Sequence, residues 1–236
     1  MFGAPHKSIL IKFLVRLWLT LRHRLIGRRY RRLVVEHIEG VPLIVLPEVF
    51  NPVLFRTGAF LAQTLLQPLP SPLGRGAGGE ERLTVLDMGA GSGVGAVFAA
   101  RAGARVVAVD VNPEAVRCAR LNAILNHCED SIEVRLGDLF APVGGEKFDL
   151  VLFNPPFYRG QPRDTLDHAW RSEDILERFA AGLGGHLKPE GRALVVLSTD
   201  GEWQAGLAAL EANGFSAAPL ARRDFGNEIV TVYSVT

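Results

Sequence analysis

From residue 83 onward, short apolar runs alternate with longer stretches in which apolar positions recur every three or four residues. The runs Leu83–Met88, Arg105–Val109, Ile132–Leu136, Phe148–Phe153, Ala193–Ser198 and Ile229–Val235 predict strands. Between them the spacing predicts a helix from Val94 to Arg101. A second has Pro113 in its first turn and reaches about Asn126. A third, Glu173–Leu187, stops at Lys188-Pro189-Glu190-Gly191, and a fourth, Glu202–Asn213, ends at Gly214. Continuous apolar strands between helices are the pattern of a parallel sheet covered on both faces, so the expected fold is a doubly wound α/β sheet. No internal repeat is visible.

The first 81 residues follow a different pattern. Across residues 8–26, polar positions Ser8, Lys12, Arg16, Thr20, His23 and Arg24 form a narrow stripe on an otherwise apolar helix. Lys12 and Arg16 interrupt it too centrally for a membrane span, and no small-residue cleavage site follows. Leu33–Leu46 predicts two short strands around the turn at Glu39-Gly40. Pro47 and Pro52 then keep the chain extended as far as Thr57, which is expected to N-cap a helix from Gly58 to about Gln67. Residues 68–81 are crowded with Pro and Gly and predict a linker. The chain therefore divides into a basic amphipathic helix (1–32), a pre-core segment (33–67), the linker and an α/β domain (82–236).

Charge sharpens this division. Residues 1–35 hold nine Lys or Arg and no Asp or Glu, which leaves 17 basic against 25 acidic residues in the remainder. A basic arm on an acidic body suits packing on that body, an anionic membrane surface or nucleic acid. Arg28, Arg29, Arg31 and Arg32 around Tyr30 fit a phosphate clamp or a solvated face equally well. Two cysteines, Cys118 and Cys128, form no CxxC pair, and the six histidines form no HExxH. No structural metal is expected, and a reducing, cytoplasmic compartment is.

Candidate chemistry gathers at strand ends, where open α/β sheets bind ligands. The first strand runs into Asp87-Met88-Gly89-Ala90-Gly91-Ser92-Gly93, a loop that can lie close to a ligand. The second ends at Asp110, suited to the two hydroxyls of a ribose. The third leads to Asp138, suited to an exocyclic adenine amine, with Leu139 against the ring. Glycines spaced by two, with Asp87 among them, fit a cationic amino-acid tail better than a pyrophosphate, which the acid would repel. Adenine, ribose and a cationic tail together describe S-adenosylmethionine rather than NAD.

The fourth strand ends at Asn154-Pro155-Pro156-Phe157. Its prolines remove two N–H donors, so the turn presents acceptors, the Asn154 side-chain oxygen and the Pro155 carbonyl. Two acceptors held together match a planar NH₂ group and turn its lone pair toward a methyl donor, with Phe157 as a stacking face.

These motifs resemble the HemK-like class I methyltransferases. The resemblance implies a seven-stranded, mostly parallel Rossmann-like sheet with an antiparallel last strand. Ala169-Trp170, the LKPEG stretch and Arg223–Glu228 resemble the shorter archaeal and eukaryotic members, and Pro47–Leu65 resembles their cofactor-covering segment. The resemblance implies S-adenosylmethionine contacts at Asp87, Gly89, Gly91, Asp110 and Asp138, with Thr57 closing over the cofactor. It implies acceptor contacts at Asn154 and Pro155, with Phe157 beside them. Release-factor enzymes of the group usually carry Tyr at the Phe157 position, whereas related RNA base methyltransferases carry Phe. Three functions stay open: methylation of a protein glutamine, as in release factors, methylation of an RNA or DNA base amine, and a non-catalytic cofactor-binding partner subunit.

Overall fold

The computed structural model describes residues 32–67, 82–161 and 169–236. The expectations for residues 1–31, the amphipathic helix among them, and for the linker 68–81 lie outside the described residues.

A seven-stranded sheet is built from β3 (Thr84–Met88), β4 (Arg105–Asp110), β5 (Ile132–Leu136), β6 (Phe148–Phe153), β9 (Leu187–Ser198), β10 (Ala217–Asp224) and β11 (Ile229–Val235). Its order is β10-β11-β9-β6-β3-β4-β5, while β7 (Tyr158–Arg159) and β8 (Arg171–Ser172) form a separate parallel pair. β5, β4, β3, β6 and β9 run parallel, while β11 is antiparallel to both β9 and β10. The chain thus starts at the sheet centre with β3, winds to one edge, returns through β6 and winds to the other. The strand ends on either side of β3 and β6 lie together at this reversal, where such sheets bind ligands.

Alternate residues of each central strand serve opposite faces, which is why the strands read as unbroken apolar runs. Val85, Val106, Ala108, Leu150, Leu152, Leu194 and Val196 pack with α1 (Thr57–Leu65), α2 (Val94–Arg101) and α3 (Pro113–Leu125). Leu86, Met88, Val107, Val109, Val151, Phe153, Val195 and Leu197 pack with α4 (Ile175–His186) and α5 (Trp203–Ala212). Phe153 stacks on Phe179 of α4 at 4.2 Å between centroids, and Phe140 stacks on the same ring at 5.6 Å.

The hairpin of β1 (Val34–Ile38) and β2 (Val41–Val45) is docked on α3 by a row of asparagines. Fully buried Asn122 accepts from the Ile44 N–H at 2.7 Å through Oδ1 and donates from Nδ2 to the Ile44 carbonyl at 2.6 Å and the Ser92 carbonyl at 2.8 Å. Asn126 Nδ2 donates to the Pro42 carbonyl, and Asn112 Nδ2 to the Glu48 carbonyl, each at 2.9 Å. α1 shares the core of the sheet face it covers.

Three local expectations change. The third core helix ends at His186, one residue short of the expected limit, but Lys188–Gly191 lies within β9, which already begins at Leu187. The β6–β9 register shifts between Phe148 and Leu150, so the Pro-Gly stretch is absorbed as an irregularity in the pairing. β10 has no counterpart in the apolar runs, since it is a largely exposed edge strand with Pro219 at a register shift. Finally, Thr57 is the first residue of α1 rather than its cap. Arg56 caps the helix in the left-handed conformation (φ 66°) without a side-chain bond. Among the described residues, no helix is long and apolar enough to cross a membrane.

Candidate active site

A cavity of about 490 Å³ opens over the carboxyl ends of β3, β4 and β6. Every candidate residue lines it: Thr57, Asp87, Gly89, Gly91, Asp110, Asp138, Leu139, Asn154, Pro155, Pro156 and Phe157. The residues come from elements nearly a hundred positions apart, and the sheet reversal brings them together.

The floor is the loop after β3. Gly89 and Gly91 have φ of 65° and 56°, a left-handed backbone that side chains resist. Asp87 is buried beneath the loop, and its Oδ2 accepts from the Ala96 N–H at 2.7 Å, capping α2 from the preceding strand. Burial pushes its carboxyl up to about 7. The Ala96 N–H bond works against this, and the nearby Asp110 charge adds to it.

At the end of β4, Asp110 is oriented by backbone N–H groups. Oδ2 accepts from the Gly91 N–H and Oδ1 from the Asn112 N–H, both at 2.8 Å. A carboxylate oxygen has two lone pairs and can accept more than one hydrogen bond. Asp138, beyond β5, accepts from Arg178 Nη1 of α4 at 2.5 Å, and Arg178 Nε reaches Asp174 at 3.0 Å. The two bonds hold the Arg178 guanidinium above its ordinary range, the Asp138 bond most of all. Leu139 beside it has φ 46°.

At the end of β6 the Asn154 amide is held at one end only. Nδ2 donates to Thr57 Oγ1 at 3.1 Å, whereas Oδ1 is buried and, among the described residues, without a hydrogen-bond partner. A buried carbonyl oxygen left so costs about 1–3 kcal/mol, a penalty that a donor bound in the cavity removes.

Sequence reasoning missed the roof. Phe50 and Phe55 from the pre-core segment meet Trp170 from beyond the NPPF turn, with centroids 4.7 Å (Phe50–Phe55), 5.1 Å (Phe50–Trp170) and 4.1 Å (Phe55–Trp170) apart. All three line the cavity. Trp170 was visible only as a family likeness, and nothing in the local pattern joins it to residues 115 or more positions earlier. Arg178 was hidden among the polar positions of an ordinary amphipathic helix.

A left-handed glycine loop, one acid at each of three successive strands and a proline-framed acceptor turn suit the three parts of S-adenosylmethionine. Fold and site define a class I S-adenosylmethionine-dependent methyltransferase.

The sequence pattern of the family described as methyltransferase small domain matches residues 49–213. A Methanocaldococcus jannaschii protein, provisionally named a protein N5-glutamine methyltransferase, is 31% identical over 175 residues, covering 70% of this chain and 80% of that one. The release factor glutamine methyltransferase of Cereibacter sphaeroides is 34% identical over 64% of this chain and 60% of its own. The tRNA1(Val) (adenine(37)-N6)-methyltransferase of Phocaeicola vulgatus is 32% identical over 50% of this chain and 53% of its own. The chain thus spans four-fifths of the archaeal relative and 60% or less of the two bacterial ones. Among solved structures, the ribosomal protein L11 methylase of Lactobacillus delbrueckii subsp. bulgaricus has a TM-score of 0.60 at 21% identity, covering 86% of this chain and 97% of that one. The Pyrococcus abyssi tRNA (uracil-54, C5)-methyltransferase, solved with S-adenosyl-L-homocysteine, has a TM-score of 0.57 at 16% identity, covering 87% and 44%. The structural likeness is one of fold. The chain belongs to the methyltransferase small domain family, among its HemK-like members.

Proposed function

We propose that this protein methylates the side-chain amide nitrogen of a protein glutamine. The observation that carries the reading is the buried, unpartnered Oδ1 of Asn154 in the cavity that also contains Gly91 and Asp110. Bound S-adenosylmethionine supplies an electrophilic methyl group on a cationic sulfur. The chain's own residues bind and orient. Asp110 accepts from the ribose hydroxyls, Asp138 from the adenine amine with Leu139 on the ring, and the Gly89–Gly91 backbone lies along the amino-acid tail, whose charge Asp87 balances. Asn154 Oδ1 and the Pro155 carbonyl accept the two N–H groups of the acceptor. The nitrogen lone pair is thereby aimed at the methyl group and the tetrahedral nitrogen of the transition state is favoured. Pro156 holds the turn rigid, and Phe157 lies against the flat amide.

Glutamine is favoured by the printed names of the archaeal relative and of the release factor enzyme. A translation release factor is the acceptor we favour, in a reducing cytoplasmic compartment. A base-amine acceptor is the second reading. The acid-free basic stretch at residues 1–35 and the tRNA-modifying relative favour it, with that stretch gripping phosphates.

The experiment incubates the full chain with methyl-labelled S-adenosylmethionine and, separately, release factors, ribosomal proteins, tRNA and ribosomal RNA. Label on a glutamine of the protein pools sustains the proposal. Label confined to RNA replaces it with the second reading. Cofactor binding without label in any pool leaves a non-catalytic partner subunit.

A further inference from the structure

Thr57 was expected to close over the cofactor. It lines the cavity, and its hydroxyl also meets the acceptor-binding side chain: Oγ1 accepts from Asn154 Nδ2 at 3.1 Å, and Thr57 is only 2% exposed. An asparagine amide presents a donor at one end and an acceptor at the other, and a half-turn about its last torsion exchanges them. An NH₂ acceptor group needs an oxygen facing it. With Nδ2 committed to Thr57, Oδ1 is the end left unpartnered in the cavity. Exchanging the two ends would point an amine at an amine, while the Thr57 hydroxyl, which can donate as well as accept, would hold the inner end of the amide in either case.

The placement of Thr57 is itself built in. Arg56, in the left-handed conformation, turns the chain into α1, and the Phe60 N–H donates to its carbonyl at 2.9 Å. Its guanidinium lies 4.8 Å from the ring centroid of Phe225, in the turn between β10 and β11. Arg223, in β10, lies 4.7 Å from the Phe60 ring centroid and donates to Gln63 Oε1 at 2.9 Å. The start of α1 is therefore clamped to the far end of the sheet by two arginine–aromatic contacts. This connects the pre-core segment and the Arg223–Glu228 tail, two distant stretches, to one atom of the acceptor site.

We infer that Thr57 is a positioning residue that anchors the inner end of the Asn154 amide, so that its other end is held toward the acceptor nitrogen. The inference rests on the proposed acceptor role of Asn154.

The test compares Thr57→Val, which keeps the shape and removes the hydroxyl, with Thr57→Ser, which retains it, and with Asn154→Ala. Each full-length variant is assayed for S-adenosylmethionine affinity and for methyl transfer to the pool that the wild type labels. The side-chain NH₂ signal of Asn154, identified by its loss in Asn154→Ala, is followed by NMR in protein carrying ¹⁵N-asparagine. Thr57→Val should lower turnover at saturating cofactor by about tenfold to a hundredfold, the scale of a misplaced reacting group. It should leave cofactor affinity unchanged and shift the Asn154 signal, and Thr57→Ser should restore both turnover and signal. Wild-type turnover in Thr57→Val, an unmoved Asn154 signal, or a loss confined to cofactor affinity would each overturn the inference. Asn154→Ala separates the two levels. If it remains active, the acceptor reading itself fails; if it is inactive while Thr57→Val works normally, only the anchor fails. If no pool is labelled, the NMR signal decides.

Discussion

The backbone N–H of Gly91 donates to Asp110 Oδ2 at 2.8 Å, so the glycine loop after β3 and the acid ending β4 are one unit. The bond aims the carboxylate and keeps the loop against the next strand. Asp110→Ala removes this bond, the Asn112 bond to Oδ1 and the proposed ribose acceptors together. Affinity for S-adenosylmethionine should fall by about 1–3 kcal/mol, roughly fivefold to 150-fold. Titration calorimetry checks this, and unchanged affinity removes Asp110 from the site. Asp110→Asn, which keeps an oxygen but not the charge, should lose less.

Asp87 makes the pH dependence distinctive. Its folded value of about 7 lies above the ordinary 3.8, so between those limits the unfolded chain ionises while the folded one stays protonated. Folding stability is intact below about pH 4 on this account and declines as pH rises toward 7, by up to about 4 kcal/mol. Asp149 acts in the opposite sense. Burial alone would raise its carboxyl, but bonds from Thr84 and Lys188 hold it below the ordinary value. Its contribution is complete above the unfolded value and is lost as pH falls through the folded one. Asp87→Asn keeps an oxygen for the Ala96 N–H and should flatten the decline between pH 4 and 7. Denaturant unfolding across that range is the measurement. A cationic cofactor tail beside Asp87 should also bind more tightly above pH 7 and release a proton below it. Calorimetry in buffers of different ionisation enthalpy reads that proton.

Gly95 is fixed by the same acid. A Cβ there would stand 2.7 Å from Asp87 Oδ1 and 2.9 Å from Oδ2. The carboxylate cannot retreat without releasing the Ala96 N–H that it caps. Gly95→Ala should therefore cost about 1–3 kcal/mol of stability, the usual range for overpacking a tight site, and weaken cofactor binding as the loop shifts. Thermal unfolding with and without S-adenosylmethionine separates the two effects, and a wild-type melting temperature refutes the contact.

How much of this was legible in the sequence follows from how local each feature is. Strands buried on both faces advertise themselves as apolar runs, so β3, β4, β5, β6, β11 and the second half of β9 were readable, as were the acids and the NPPF turn at the strand ends. β10 was not, because an edge strand needs no apolar run and tolerates Pro219. Six strands came from the pattern and the seventh from family resemblance. Lys188–Gly191 carries the residues of a helix stop, yet only the partner strand reveals that they form an irregularity between the Leu187–Phe148 and Arg192–Leu150 pairs. Thr57 looked like a cap because Thr precedes a helical pattern. Its bond to Asn154, 97 residues away, has no trace in local spacing. The Phe50–Phe55–Trp170 roof and the Arg178–Asp138 pair were invisible for the same reason.

The roof depends on how the hairpin is anchored, and Asn122 is the anchor. It satisfies both backbone groups of Ile44 and the Ser92 carbonyl from a fully buried position, joining β2, α3 and the glycine loop. Asn122→Ala strands the Ile44 N–H and the Ser92 carbonyl and leaves the Ile44 carbonyl the Cys118 thiol; at about 1–3 kcal/mol for each stranded group, a loss of at least about 2 kcal/mol is expected. The segment released carries Phe50, Phe55 and Thr57 over the cavity. Cofactor affinity should therefore fall along with stability, although Asn122 does not line the cavity. Hydrogen exchange should show Ile44 and its hairpin opening before β3 and β6, whose protection should persist. If affinity survives while the hairpin exchanges freely, the pre-core segment is no cover for the cofactor, and Thr57 reaches Asn154 without the hairpin's help.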